Sequence, residues 1–357
     1  MKARGITKFL STLLCSAVIA LSFASCGKTE VVMTSNTANG KTTQNGIIEY
    51  QDAYFIVDTN GINYKSAADK KSIVIAHTSK ANGKVQKNFA IGDEKIYFIT
   101  TQKGQAKTLF QCDLNGKKRK KLIVRDDINI VGVYNNAVYF YDEQNFLKCI
   151  DGTTGSKTEI SIAYGAPFYQ YNNCFIHKAS DGILEAYNCD DGNVIPLSDS
   201  AVSSFNVTST GVTYAINNSD TKDSFEYSFN RFNYDDMLIT PMHKSDSSKA
   251  VDVMTETVAL TNFKDHLQIC DIDSGKNNDQ SYKTEGKIIY DTAVSPNAYY
   301  VNDNVCLKFS TDNAEPQKIN VNYKKNKIDY NNIIAVVNDK YIVSLDAEGY
   351  YSFNKMP

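Results

Sequence analysis

The feature that most constrains this chain is a unit of about 41 residues that recurs from about residue 46 to the C-terminus. Each unit sets a polar turn ahead of a short aromatic or β-branched run. Examples are Gln51-Asp52-Ala53-Tyr54-Phe55-Ile56-Val57, Asn135-Asn136-Ala137-Val138-Tyr139-Phe140-Tyr141, Pro296-Asn297-Ala298-Tyr299-Tyr300-Val301 and Asn338-Asp339-Lys340-Tyr341-Ile342-Val343. Aligned on those turns, the anchor positions are Phe55, Tyr97, Tyr139, Ile176, Tyr214, Leu260, Tyr300 and Ile342. Seven intervals of mean length 41 residues separate the first anchor from the last. A period of that length, made of short strands, points to a β-propeller, because one such unit cannot bury its apolar faces alone.

Within a unit the strands can be placed. The second unit offers Phe89-Ala90-Ile91, Ile96 to Ile99, Thr108 to Cys112 and Lys121 to Val124. Turns of the Asn-Gly, Asp-Gly and Asn-Asn kind separate such runs, as hairpins require residues that tolerate positive φ. Four antiparallel strands per unit make a blade, so the expectation is an all-β propeller of eight four-stranded antiparallel blades. Seven blades is the alternative, because the interval from Tyr214 to Leu260 is the longest and Asn217 to Phe225 reads as an inserted loop ahead of an alternating strand, Phe225 to Phe232. The last unit carries only Ile333 to Val337, Tyr341 to Leu345 and Gly349 to Phe353, which would leave an open edge. Val31-Val32-Met33 suits that gap, so an N-terminal strand over roughly residues 30 to 34 is expected to close the last blade, the alternative being a three-stranded blade.

Ahead of the repeats, Lys2 and Arg4 precede an apolar stretch from Phe9 to Phe23 that ends in Ala24-Ser25-Cys26. A basic start, an apolar core of this length and small residues at the cut describe a secretory signal rather than a membrane span. With Phe23-Ala24-Ser25-Cys26 as lipobox it resembles a bacterial lipoprotein signal, which implies cleavage before Cys26 and lipidation of that residue. Residues 26–45 are rich in Thr, Asn, Gly, Lys and Ser and read as a flexible tether. The expected organisation is a signal peptide over 1–25, a tether over 26–45 and one propeller over 46–357.

A net charge of −2 and a pI near 6.1 argue against a general nucleic-acid binder. The one basic cluster, Lys117-Lys118-Arg119-Lys120-Lys121, follows Asn115-Gly116 and reads first as a solvated hairpin turn, with a phosphate or headgroup site as the alternative. Export permits disulfides. Yet Cys112, Cys149, Cys189 and Cys270 each stand at the end of a third strand, one apolar slot repeated by the architecture, so free thiols are expected there and at Cys174 and Cys306.

Chemistry-bearing patterns are few. His77, His177, His243 and His266 fall in different units, no G-x-S-x-G elbow precedes a helix, and no C-x-x-C pair offers zinc spacing, so no catalytic residue, metal or cofactor is assigned. Asp190-Asp191-Gly192 and Asp271-Ile272-Asp273-Ser274-Gly275 read as turns rather than calcium loops. Most of the 23 tyrosines and 17 phenylalanines should fill gaps between blades. Phe168, Tyr169 and Tyr171, after Pro167, read first as core between blades, with a place at the central mouth as a stacking surface for a sugar or peptide as the alternative.

The run Ile96-Tyr97-Phe98, a short loop, then Leu109-Phe110-Gln111-Cys112-Asp113-Leu114-Asn115-Gly116 resembles blades of TolB and YWTD type. It is similar to the bacterial lipoproteins grouped as domain of unknown function 5050, over about residues 46 to 357. The resemblance implies architecture and not activity, and there is no Trp to supply a YWTD or WD40 signature. The first functional expectation is a monomeric, lipid-anchored binding or scaffolding module of the bacterial envelope, outside the cytoplasm, that engages a protein, peptide or glycan. The second is a hydrolase or lyase of envelope or extracellular polymers, with a site assembled from the loops of several blades.

Overall fold

Ile96, Tyr97, Phe98 and Ile99 follow one another along a single strand, and none is more than 1% exposed. A strand buried on one face alternates apolar and polar residues, so an unbroken apolar run needs cover on both sides. In the computed structural model that cover comes from neighbouring blades: Phe98 packs toward the preceding sheet and Tyr97 and Ile99 toward the following one. The structure describes residues 41–43, 46–51, 53–66, 72–163, 168–171, 173–208, 210–219, 225–247, 249–281, 286–290, 297–303, 305–310, 313–321, 328–337 and 340–356.

Eight antiparallel sheets follow in chain order, here blades 1 to 8, over residues 47–77, 84–125, 128–163, 168–196, 204–247, 252–281, 287–319 and 333–355. The fold is an all-β, eight-bladed propeller, and the long fifth interval is one blade with extended third and outer strands, Phe225–Asn233 and Ile239–Ser247. All eight anchor residues sit in the second strand of their blades, and none is more than 6% exposed. There is no single central core. Buried side chains form eight clusters, one at each junction of neighbouring blades. The last joins Ile47, Tyr54 and Ile56 of blade 1 to Ala335, Val337 and Val343 of blade 8, which closes the ring. There Phe353 lies 5.2 Å from Tyr54 between ring centroids.

Blade 8 has three strands among the described residues, Ile333–Val337, Tyr341–Leu345 and Tyr351–Lys355. The expected closing strand over 30–34 lies outside the described residues. The first described strand goes elsewhere: Lys41–Thr43 pairs antiparallel with the inner strand of blade 2, Lys41 opposite Ile91 and Thr43 opposite Phe89, and so adds a fifth strand on the channel side.

The inner strands are also tied to one another by side-chain amides, which the repeat pattern did not reveal. In blade 2, Val85 faces Thr100 and Phe89 faces Phe98, so Gln86, Lys87 and Asn88 bulge out opposite Ile99. The bulge aims Asn88 at blade 3, where its Nδ2 donates to the Ile130 carbonyl (3.0 Å) and its Oδ1 accepts from the Ile130 amide (2.7 Å). Gln170 of blade 4 brackets Val133 of blade 3 in the same way, at 2.7 and 3.1 Å. Ile130 is fully buried, so Asn88→Ala leaves two backbone groups unpaired and is expected to cost about 1–3 kcal/mol. A urea midpoint identical to that of the parent would refute this role of the amide.

The six cysteines of the propeller are all free. Burial pushes the thiols of Cys112, Cys174 and Cys306 up to about 12, so they pack as small apolar groups and carry almost no thiolate.

Candidate functional site

Within each blade the inner strand begins at one face of the ring and ends at the other. Tight turns such as Asp93-Glu94 and Asn135-Asn136 mark the second face, together with the turns between third and outer strands. The opposite face carries the loops between second and third strands, and there a cavity of about 660 Å³ opens among blades 8, 1, 2 and 3.

Its floor and walls come from four places far apart in the chain. Blade 1 supplies Val57, Asp58 and Thr59, blade 2 the bulged start of its inner strand, blade 3 Asp127 to Asn129, and blade 8 Leu345 and Gly349. The bulge that lets Asn88 latch onto blade 3 also turns Gln86 and Lys87 into the cavity wall. Lys107 ion-pairs with Asp127 across the junction of blades 2 and 3, and that hydrogen bond holds the Asp127 carboxyl below its usual range. Asp58 is occupied by its own turn, accepting from the Asn60 amide at 2.7 Å. Lys84 and Lys87 make no ion pair among the described residues, so the cavity carries positive charge in excess. Lys287, which opens the inner strand of blade 7, is held below its ordinary value by burial, and the charge of Lys87 adds to that effect while Asp329 opposes it. Its Nζ donates to the Asn331 carbonyl at 2.8 Å.

An arrangement of this kind can hold a ligand by charge and by amide hydrogen bonds. The four histidines belong to blades 1, 4, 5 and 6, none of them lines the cavity, and His177 is enclosed within its own sheet junction. Among the described residues, no three His, Cys, Asp or Glu side chains come together as a metal site would require. The acidic turns are satisfied by their surroundings. Asp190 accepts from Tyr134 Oη (2.6 Å) and Asn173 Nδ2 (2.8 Å), and Asp271 accepts from the Asp273 and Ser274 amides and from Ser274 Oγ.

The aromatic candidates lie apart from this cavity. Phe168–Tyr171 is the inner strand of blade 4, and its alternation turns Tyr169 and Tyr171 toward blade 5. Tyr169 meets Phe205 edge-on at 5.3 Å, and Tyr171 stacks on Tyr234 at 4.0 Å. The side chain of Phe168 and the whole of Cys26 lie outside the described residues. The cavity lysines had no sequence signal, since their meeting depends on ring closure; the bulge at residues 86–88 breaks the strand alternation but names no ligand.

No family model matches this chain, and no curated protein matches it. Among solved structures it is similar to the computationally designed protein Ika8, at 10% identity and TM-score 0.53, over 89% of this chain and 96% of that one. It also aligns with BamB from Moraxella catarrhalis at 10% identity and TM-score 0.49, over 90% of this chain and 99% of that one. TolB from Acinetobacter baumannii aligns at 10% identity and TM-score 0.35, over 70% and 64% of the two chains. At this identity the likeness to Ika8 shows the fold alone, and the fold here is the eight-bladed β-propeller.

Proposed function

We propose that this protein is a lipid-anchored propeller of the bacterial envelope, of the domain-of-unknown-function 5050 type, that binds or scaffolds a protein, peptide or glycan outside the cytoplasm. The cavity at the loop face is its principal contact, and the bound partner presents an anionic group there. The observation that carries this reading is the cavity itself, built by four blades, with Lys84 and Lys87 making no ion pair among the described residues. Lysines at the mouth of a low-dielectric cleft attract anions from a distance and hold them at contact. Phe168, Tyr169 and Tyr171, on the inner strand of blade 4, are candidates for a second, stacking contact. The anchor is Cys26, and the protein acts as a monomer.

A photo-crosslinking residue in place of Gln86, introduced in the native cell, tests the contact. One discrete adduct, lost when Lys84→Glu and Lys87→Glu are added, is the expected result. Recovery of the chain without an adduct, together with a blank glycan array, would overturn it. Anchoring is tested separately, because Cys26→Ala should move the protein from the membrane fraction to the soluble one.

A further inference from the structure

Lys41 lies opposite Ile91, two residues from the Asp93-Glu94 turn, and the strand runs from there toward the loop face. This first described strand is therefore entered at the tight-turn face, beside blade 2, on the side of the ring opposite the cavity. The same blade carries the basic cluster on the same face, because Lys117 to Lys121 span the turn between its third and outer strands. Two features separated by some 75 residues of chain thus meet at one edge of one face.

The hairpin that carries these lysines is built firmly. The Gly116 amide donates to the Asp113 carbonyl (2.8 Å) and the Asp113 amide to the Lys117 carbonyl (2.9 Å). Gly116 sits at φ +79°, and a Cβ there would come within 2.3 Å of the Ile75 carbonyl oxygen, so the turn rests against blade 1. Arg119 folds inward, its guanidinium 4.1 Å from the centre of the Phe110 ring and 4.9 Å from that of Phe98. With Arg119 clamped, the four lysines around it stay at the surface. Lys117 and Lys121 make no ion pair among the described residues. Lys118 shares Asp113 with Lys95, at 3.6 Å, and Lys120 donates to the Gly152 and Thr153 carbonyls at 3.2 Å each. Of the nearby acids, Asp113 is taken up by those lysines, Asp93 accepts from the Asn136 amide, and Asp151, which lies within the electrostatic reach of Lys120, accepts from the Thr153 and Thr154 amides.

We propose that the basic hairpin of blade 2 docks the propeller on an anionic lipid surface, so that the face from which the N-terminal strand leaves the channel is held against the membrane and the cavity is turned away from it. This deepens the envelope reading above and rests on it. A tether alone would let the ring tumble, whereas each lysine close to an anionic surface favours the docked state roughly fivefold. The pairing of Lys41–Thr43 inside the channel brings the start of the leash within reach of the same surface.

Lysine acetylation followed by mass spectrometry tests this on the full chain isolated from its own membranes and placed on vesicles. On phosphatidylglycerol vesicles Lys117, Lys118 and Lys121 should label at least about tenfold more slowly than on phosphatidylcholine vesicles, while Lys80 and Lys103 at the loop face keep their rates. The difference should vanish at about 0.5 M salt, where the Debye length is only a few ångströms. Equal hairpin labelling on the two lipids, or protection of Lys80 and Lys103 instead, would overturn the proposal. Co-sedimentation with phosphatidylcholine vesicles reads the anchor independently. A chain that fails to sediment there yet shows hairpin protection on phosphatidylglycerol would sink the anchor and keep the docking surface. In the K117Q/K118Q/K121Q variant, persistence of the Lys120 protection would count against docking through this hairpin.

Discussion

Phe175→Ala should destabilise the propeller by about 3–5 kcal/mol, among the largest effects of any single truncation in this ring. Phe175 is fully buried in the second strand of blade 4 and packs on Tyr139 of blade 3 at 4.8 Å between centroids. Its ring edge fills the space where blade 3 has no side chain: a Cβ on Gly132 would stand 2.1 Å from Phe175 Cε1 and 2.7 Å from Gln170 Oε1. Gly132 follows directly on the bulge at Val131, so the glycine, the bulge and the ring form one fitted contact. Gly132→Ala should then cost about 1–3 kcal/mol by overpacking. Combined with Phe175→Leu it should cost less than the two changes added together, since each relieves the other. Urea unfolding of the parent and the four variants measures both claims. Strict additivity in the cycle, or a loss below about 1 kcal/mol for Phe175→Ala, would show that the junction does not depend on this contact.

The second large effect is on acid stability. His177 is 1% exposed in the second strand of blade 4, and burial lowers it from 6.5 to about 4. Glu185 on the adjoining strand stands 3.7 Å away, with its own carboxyl raised first by burial and then by Asp181. A histidine kept neutral by burial binds its proton more weakly folded than unfolded. The unfolded chain therefore takes up the proton first as pH falls, and stability declines through the window from about 6.5 to about 4 and then levels off. Two and a half units correspond to about 3 kcal/mol at the acid limit. Glu185 works in the opposite sense and offsets part of the loss, because its raised carboxyl favours the protonated folded state. His177→Leu should flatten the decline between pH 6.5 and 4.5 while leaving stability at pH 7.5 close to that of the parent. A variant whose urea midpoint falls over that window as steeply as the parent's would locate the acid sensitivity elsewhere.

These two sites also show what could be read ahead of folding. Ile176, between Phe175 and His177, was legible as a blade anchor because the turn ahead of it recurs in every unit. That Phe175 on one side and Ile176 on the other would each face a different neighbour followed from strand alternation once both faces were known to be covered. That His177 would be neutral did not follow, since its burial is conferred by the sheet junction and leaves no mark in the sequence. Likewise the strand limits of the second unit were legible to within a few residues, but its inner strand, Lys84–Gly92, reaches well before Phe89 because the bulge lets it continue. In the last blade the third strand runs over Tyr351–Lys355, later than expected, because Gly349 at φ +85° belongs to the turn ahead of it.

By itself the sequence determined the architecture. A 41-residue period of short strands divided by turns that accept positive φ leaves a ring of antiparallel blades as the economical way to bury apolar runs on both faces. It determined the free cysteines as well, since Cys112, Cys149, Cys189 and Cys270 recur at one place in the blade, the end of the third strand. Tertiary structure alone decided where the first described strand pairs, which face of the ring the chain leaves by, and which lysines share a cavity. The physical reason is distance along the chain. Local propensity and periodicity act over a few residues to a few dozen, whereas Asp58, Lys87, Asp127 and Gly349 meet only after eight blades have closed into a ring.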